Sequence, residues 1–222
     1  MAEKKKKAVG VKKKVLAEKK KKAVGVKKKG KEKIKIYIIS GPGGAGKTTL
    51  VNKLFEKDII KDNFIKGITV TTRKERSLEK NGKDYFFIKE EEFLRLKEKD
   101  FFLESEKILT NYYGTPKLFY LLADKKKKDL VLCIDVKGGL NLIKNFKAAK
   151  IISIFVSAPS KAELKRRMEK RDDNKVTLKK RVELSKKELQ FSKDYDYLVT
   201  NKDIDIAIKE IERILVKKNS AV

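Results

Sequence analysis

The chain has 222 residues and a formal net charge of +28 at pH 7, with 59 Lys or Arg against 31 Asp or Glu. It contains no His and one Cys, which excludes histidine acid–base catalysis, histidine metal sites and an internal disulfide. No apolar run reaches about 18 residues, so no membrane span is expected. Phosphoryl transfer remains, because it needs only Lys, Arg, hydroxyls, carboxylates and a bound ion.

The first 33 residues are dominated by a lysine repeat, since AEKKKKAVGVKKK occupies both 2–14 and 17–29. Residues 1–33 hold 16 Lys and 3 Glu, a net charge of +13. Their apolar residues are too few to offset the entropy of ordering, which predicts a disordered tail. Two interpretations stay open: a solvated extension, or a tether for nucleic acid or acidic lipid without sequence specificity. The folded domain is expected over 34–217, with a short tail at 218–222.

A glycine-rich loop follows the first predicted strand, which spans residues 34–40. The loop, GPGGAGKT at 41–48, matches the phosphate-loop pattern G-x-x-x-x-G-K-[ST] and is followed by apolar residues at helical spacing. Its backbone N–H groups and the start of the helix would cradle phosphates. Lys47 is placed to reach the β- and γ-phosphates, and Thr48 to hold Mg²⁺. The alternative, a glycine turn that matches by chance, is disfavoured because strand and helix flank the loop.

The segment of about residues 67–116 is predicted to be a small inserted antiparallel lobe. A β-branched run leads to Arg73 and Arg76, whose guanidinium groups suit phosphate oxygens. Further expected features are a turn at 81–82, strands at 85–88, 101–104 and 107–109, a helix at 90–98 and a loop at 111–115. Taken singly, each Arg is better explained as a surface ion pair. Together with Tyr85, Glu104 and Tyr113 they favour a pocket.

The second half reads as buried strands alternating with helices. The apolar run 130–134 ends at Asp135, where ligands bind in open α/β sheets. Asp135 is therefore a candidate for the Mg²⁺ water shell or for substrate contact, with helix capping as the alternative. Ser160 and Glu163 form a capping-box pattern. The arginine-bearing helices after it are interpreted as a lid over about 166–182, or else as a solvated helical hairpin. A last strand at 197–200 and an amphipathic helix at 204–216 follow.

The ordered set of motifs resembles the guanylate kinase family over about residues 34–217. The motifs are GPGGAGKTTL, TVTTRKER, NGKDYFF, FLESE, NYYGT, IDVKG, APSKAELKRRMEKR and YDYLVTN. The resemblance implies an α/β P-loop nucleoside monophosphate kinase with a central parallel sheet flanked by helices, an inserted GMP-binding lobe and a helical lid. It also implies ATP-dependent phosphorylation of GMP, and of dGMP, with Mg²⁺, by a cytoplasmic monomer or dimer in purine nucleotide metabolism.

The resemblance also assigns roles to particular positions. The ATP phosphates would be held by Gly41, Pro42, Gly43, Gly44, Ala45, Gly46, Lys47, Thr48 and Thr49, with Asn201 near the adenine. The transferring phosphoryl group would be neutralised by Lys47, Arg167, Arg171 and Arg181. The GMP phosphate would be bound by Arg73, Arg76, Tyr85 and Tyr113, and the guanine by Glu104 and Thr115, with Thr69 and Asp135 close by. Mg²⁺ would be held by Thr48 and Asp135.

Five positions depart from the family pattern: Gly43, Glu75, Cys133, Lys137 and Asp172 stand where Ser, Pro, an acidic residue, Gln and Gly are common. Glu75 is expected to place a carboxylate beside Arg73 and Arg76. Cys133 is expected to leave Asp135 alone as the carboxylate near Mg²⁺. Activity should nevertheless be retained. The other reading is a guanylate-kinase-like binding module without catalysis, and the intact phosphate loop argues against it.

Overall fold

The computed structural model describes residues 33–170 and 175–217. The lysine repeat, the short tail at 218–222, Arg171 and Asp172 lie outside the described residues, so the predictions for them are not addressed by the fold. Across the described ranges, no helix combines the length and the apolar character that a bilayer crossing requires.

Strands and helices alternate along most of the described chain. The strands are β1 (Lys35–Ser40), β2 (Phe64–Gly67), β3 (Val70–Thr71), β4 (Phe86–Phe87), β5 (Phe102–Ile108), β6 (Asn111–Pro116), β7 (Asp129–Cys133), β8 (Lys150–Ser157) and β9 (Tyr197–Thr200). The helices are α1 (Lys47–Leu54), α2 (Asp58–Asn63), α3 (Glu90–Glu98), α4 (Lys117–Lys126), α5 (Val136–Asn145), α6 (Lys161–Glu169), α7 (Lys175–Glu188) and α8 (Ile204–Lys217), with a 3₁₀ helix at Leu189–Asp194.

The main sheet is parallel in the order β2-β7-β1-β8-β9. Alternate residues of the central strand β1 point to opposite faces, and both faces are covered. Tyr37 and Ile39 pack with α1 and α8, whereas Ile36 and Ile38 pack with α4 and α5. This explains why β1 reads as a continuous apolar run, and it confirms the predicted parallel sheet flanked by helices.

A second, smaller sheet in the order β4-β3-β6-β5 forms the inserted lobe. It is mixed rather than purely antiparallel, because β3 and β4 run parallel. The two strands predicted at 101–104 and 107–109 are one strand, β5, and the loop predicted at 111–115 is strand β6. Asn111 and Gly114 suggested a loop, but β5 on one side and β3 on the other supply hydrogen-bonding partners for this segment. Tertiary pairing therefore overrides the local turn signal.

The helix ends follow local rules. Ser160 accepts a hydrogen bond from the Glu163 amide at 3.1 Å, so it is the N-cap of α6 as predicted. The Glu163 carboxylate accepts from Arg166 and Arg167, so the reciprocal half of the predicted capping box is not among the hydrogen bonds of the described residues. The helix predicted from Leu178 begins one turn earlier, at Lys175. Asp135 precedes α5 and its Oδ1 accepts from the Gly138 amide at 2.9 Å, so this carboxylate is a helix cap. Capping does not exclude a second role, since the other carboxylate oxygen remains.

Candidate active site

The phosphate loop joins β1 to α1, and its backbone has a positive φ, which favours glycine, at Gly41, Gly44 and Gly46. Gly41 has φ of 146°, and a Cβ there would lie 2.0 Å from the Val156 carbonyl oxygen. Gly46 has φ of 91° and is the N-cap of α1, where it has no side chain to satisfy the first amides of the helix. Those amides are available to an anion. Lys47 folds back over the loop, and its Nζ donates to the carbonyls of Gly41 (2.6 Å) and Pro42 (3.0 Å).

One cleft of about 630 Å³ joins this loop to the inserted lobe. The predicted site residues that line it are Gly41, Gly43, Gly44, Gly46, Lys47, Thr48, Thr49, Thr69, Arg73, Arg76, Tyr85, Tyr113, Asp135 and Arg181. Pro42 and Ala45 belong to the loop without lining the cleft. The lysine and the lobe arginines therefore face a shared space, which is the arrangement that phosphoryl transfer between two bound phosphates requires.

Arg167 and Asn201 contact each other beside the phosphate loop, and neither lines the cleft. The side-chain amide of Asn201 donates to the Ala45 carbonyl at 2.8 Å, and Nη2 of Arg167 donates to the Asn201 carbonyl at 3.0 Å. Nε of Arg167 also donates to Glu163 at 2.7 Å. In this structure Arg167 thus supports the phosphate loop through Asn201, whereas Arg181 lines the cleft.

The two lobe arginines share a carboxylate that sequence reasoning missed. Nη2 of Arg73 donates to both oxygens of Glu79, at 2.8 and 2.9 Å, and the Arg76 amide donates to the same carboxylate at 3.1 Å. Arg73 is only 8% exposed, and its guanidinium lies over the rings of Tyr85 (5.4 Å) and Phe87 (5.7 Å). The expected neighbour, Glu75, is exposed and accepts from the Asn81 amide instead.

Glu79→Gln is expected to lower the free energy of unfolding by about 2–3 kcal/mol. The substitution removes the anionic partner of a nearly buried guanidinium, and hydrogen bonds to charged groups contribute about 1.5–3 kcal/mol. Urea unfolding followed by circular dichroism measures the change. Glu75→Gln is the matched control, with an expected effect within about 0.5 kcal/mol because that side chain is exposed. Equal losses in the two variants would contradict the role given to Glu79.

A pair of buried polar side chains lies on facing strands of the lobe. Glu104 of β5 is opposite Thr115 of β6, and Oγ1 of Thr115 donates to Oε1 of Glu104 at 2.7 Å. Within the described part of the chain, Oε2 of Glu104 is buried without a hydrogen-bond partner. A Cβ added to Gly138 would lie 2.6 Å from that oxygen, so the first turn of α5 packs directly against the carboxyl group. A buried, unpartnered oxygen of this kind is able to form a hydrogen bond with a bound ligand.

Glu104 and Thr115 do not themselves line the cleft, and the electrostatics of this pair follow from burial. Burial raises the pKa of Glu104 to about 8; the charge of Asp135 acts in the same direction, and the hydrogen bond from Thr115 opposes it. Burial also raises the pKa of Asp135, whereas the hydrogen bond from the Gly138 amide and the charge of the Lys47 ammonium lower it. Thr69 lines the cleft together with Asp135, and its hydroxyl donates to the Cys133 carbonyl at 3.5 Å. Buried carboxyl groups with a raised pKa are common at binding sites.

A parallel sheet with a phosphate loop after its central strand, and arginines facing that loop across one cleft, defines a P-loop nucleoside monophosphate kinase. The guanylate kinase family model matches residues 33–218. The chain is 39% identical over 193 residues to a guanylate kinase of Caldanaerobacter subterraneus subsp. tengcongensis, covering 86% of this chain and 91% of that one. It is 38% identical over 184 residues to a guanylate kinase of Wolbachia sp. subsp. Brugia malayi, covering 82% and 92%.

A solved structure agrees with these sequence matches. The crystal structure of guanylate kinase from Anaplasma phagocytophilum superposes with a TM-score of 0.69 at 31% identity, covering 86% of this chain and 89% of that one. The chain belongs to the guanylate kinase family.

Proposed function

We infer that this chain is an enzyme that transfers the γ-phosphoryl group of ATP to GMP, forming ADP and GDP. Membership of the guanylate kinase family supports the substrates. The observation that carries the inference is that Lys47 and the phosphate loop line the same cleft as Arg73 and Arg76. Donor and acceptor phosphates bound at these two places would be neighbours.

The donor half of the site is built on the phosphate loop. Apart from Pro42, which has no N–H, residues 41–49 supply backbone amides to the ATP phosphates, and Thr48 adds its hydroxyl. Asn201 stands beside the loop on the adenine side. Lys47 and Arg181 balance the charge of the transferring group because both line the cleft. Arg167 and Arg171 complete the lid of about 166–182. Arg167 acts through its hydrogen bond to Asn201, which supports the phosphate loop.

The acceptor half is built on the inserted lobe. Arg73, Arg76, Tyr85 and Tyr113 bind the GMP phosphate, since all four line the cleft beside the loop. Glu104 accepts hydrogen bonds from guanine N1–H and the 2-amino group, and Thr115, Thr69 and Asp135 complete the guanine pocket. The unpartnered Oε2 of Glu104 supports this role. Adenine lacks those two donors, so AMP would leave the buried carboxylate unpaired.

The donor groups present suit Mg²⁺. The described residues contain no cluster of three acidic, Cys or His side chains that could hold a metal by themselves. Mg²⁺ in kinases is held by one or two protein oxygens together with phosphates and waters, and Thr48 and Asp135 both line the cleft. When bound there, the ion would neutralise phosphate charge. The protein's own contribution is alignment: the attacking GMP phosphate is already ionised, so no protein base is required.

An acceptor profile tests the proposed function. ADP release is measured by a coupled assay with GMP, dGMP, AMP, UMP and IMP, each with ATP and Mg²⁺. Turnover is expected with GMP and dGMP, weaker turnover with IMP, which lacks the 2-amino group, and little with AMP or UMP. If no acceptor supported ADP release, the chain would be a binding module. Equal turnover with AMP and GMP would contradict the guanine pocket.

GMP affinity is expected to rise with pH between 7.0 and 8.5. Guanine donors need the charged form of Glu104, whose pKa is raised to about 8, so binding releases a proton and the KM for GMP falls by roughly fivefold to tenfold over this range. The GMP phosphate stays doubly charged throughout, since its second pKa is about 6. The KM is measured at saturating ATP. In Glu104→Gln the KM should be flat, and a flat wild-type profile would contradict the prediction.

Two further assignments extend beyond the fold. Residues 1–33, with their net charge of +13, are proposed to contact polyanions such as nucleic acid. Deleting residues 1–30 should then weaken retention on heparin and reduce its salt dependence, and an unchanged salt slope would remove the idea. A cytoplasmic location is proposed because the single Cys suggests a reducing setting.

A further inference from the structure

Two acidic side chains of β5 face the same helix. Glu104 and Glu106 lie two residues apart in the regular part of the strand, so their side chains share one face of the lobe sheet. That face meets the start of α5, since a Cβ added to Gly138 would lie 2.6 Å from Oε2 of Glu104. β5 is an edge strand of this sheet and pairs with β6 on one side. Its position over α5 therefore depends on side-chain contacts between the strand and the helix.

Glu106 makes such contacts with two residues that lie one turn apart on α5. Nζ of Lys137 lies 2.6 Å from Oε2 of Glu106, and Nδ2 of Asn141 donates to Oε1 at 3.1 Å. Each carboxylate oxygen thus has its own donor. Asn145, another turn along, donates to Oδ1 of Asn141 at 2.8 Å, which leaves the Asn141 NH₂ group facing the strand. The contacts of Glu106 with Lys137 and Asn141 form a clamp between lobe and helix, the Glu106 clamp.

Glu106 is largely buried although two other acids lie close to it. Its side chain is 12% exposed, against 66% for Lys137. Burial is the main cause of the raised pKa of Glu104 and of Asp135, and the charge of Glu106 adds to both shifts. A third acid at this place makes ionisation of Glu104 harder, which is unfavourable for guanine binding unless Glu106 contributes something else. Lys137 is one of the five departures from the family pattern, and the proposed function gives it no role.

We propose that Glu106 is a positioning residue: through Lys137 and Asn141 it holds β5 on α5 and so keeps Glu104 where guanine is read. The inference rests on the proposed function, because it assigns the effect to GMP. A binding group that is held in place before the ligand arrives need not be ordered during binding, which strengthens the complex. Loss of the Glu106 clamp should therefore weaken GMP binding and leave the transfer step nearly unchanged, which appears as a raised KM with the same kcat.

The kinetics of Glu106→Ala at two pH values test the inference. At about pH 8.5, where most Glu104 is ionised, the KM for GMP is expected to rise about fivefold to tenfold, with kcat and the KM for ATP within about twofold of wild type. At about pH 7 the rise should be smaller, because removing the Glu106 charge eases ionisation of Glu104. If Glu106 acted by charge alone, the KM would fall at the lower pH and stay nearly unchanged at the higher one. That result would overturn the inference.

A double-mutant cycle at the higher pH identifies the partner. Lys137→Ala is expected to raise the KM for GMP about threefold in the wild-type chain and to have no further effect in Glu106→Ala, because the two side chains act as one contact. Glu106→Gln keeps an acceptor oxygen for Asn141 and should stay within about threefold of wild type. Lys144→Ala, which removes an exposed lysine of the same helix, is the matched control and should leave KM and kcat unchanged.

Two further outcomes would overturn the inference: an unmoved KM for GMP in Glu106→Ala at the higher pH, or effects of Glu106→Ala and Lys137→Ala that multiply. Should Glu106→Ala fail to fold, Lys137→Ala decides, because its side chain is exposed and a wild-type KM in that variant removes the clamp. The Kd of GMP, measured by isothermal titration calorimetry, separates this inference from the proposed function. A wild-type chain that binds GMP without phosphorylating it refutes the function and leaves the clamp to be judged from the Kd values, whereas one that binds no GMP overturns both.

Discussion

Lys47→Ala is expected to lower kcat for GMP phosphorylation by about a thousandfold. The Nζ group of Lys47 lies at the mouth of the phosphate loop, held by the carbonyls of Gly41 and Pro42, and lines the cleft shared with the lobe arginines. A fixed cation at that point stabilises charge on the transferring phosphoryl group, and removing one such donor from an enzyme costs about 10²–10³ in kcat. Coupled ADP release with saturating GMP and ATP measures the loss.

The control separates chemistry from folding. Lys209→Ala removes an exposed lysine of α8 and should leave both kcat and thermal unfolding unchanged. Lys47→Ala itself removes two hydrogen bonds within the loop, so its melting temperature is measured alongside its rate. A folded Lys47→Ala protein that retains more than a tenth of wild-type kcat would contradict the role of this lysine in transfer.

The second large effect is expected for Glu104→Gln, in the selectivity between GMP and AMP. The carboxylate offers acceptors to two guanine donors, whereas glutamine turns an NH₂ group toward one of them. We expect kcat/KM for GMP to fall by about a hundredfold and kcat/KM for AMP to stay low and nearly unchanged. Sites that pair buried polar groups with a substrate lose about 10⁴–10⁵ when the whole pairing is lost, and this variant keeps one acceptor.

Two features make Glu104→Gln a clean variant. The side chains have nearly the same shape, and replacing a buried carboxyl that has one unpartnered oxygen removes no ion pair, so the fold should be retained. Glu98→Gln, on the exposed face of α3 in the same lobe, is the control. Unchanged GMP selectivity in Glu104→Gln would show that another group reads the guanine edge.

Features set by neighbours in the chain could be predicted from the sequence. The loop at 41–48 depends on a strand, glycines and a helix that follow one another, so adjacent residues encode the backbone conformation of the loop. The N-cap at Ser160 and the buried run of β1 are local for the same reason. The positions of Lys47 and Asp135 at the carboxyl ends of parallel strands follow from these elements.

Features set by contacts between distant segments could not be predicted in this way. Glu75 lies closer in sequence to Arg73 than Glu79 does, yet Glu79 binds both lobe arginines because the chain turns back at this point. The segment at 111–116 carries turn residues, and its strand exists only because β3 and β5 flank it. Pairing energy from partners far along the chain decides such cases.

Local backbone preference and composition set the kind of loop, the alternation of strands and helices and the residue types available for catalysis, so these features could be read from the chain before it was folded. Packing between distant segments determines that Arg167 donates to the Asn201 carbonyl, that Arg181 lines the cleft and that Glu188 is buried. Desolvation and geometry in the packed domain select the partner of each side chain. The spacing of residues along the chain encodes neither the desolvation nor the geometry.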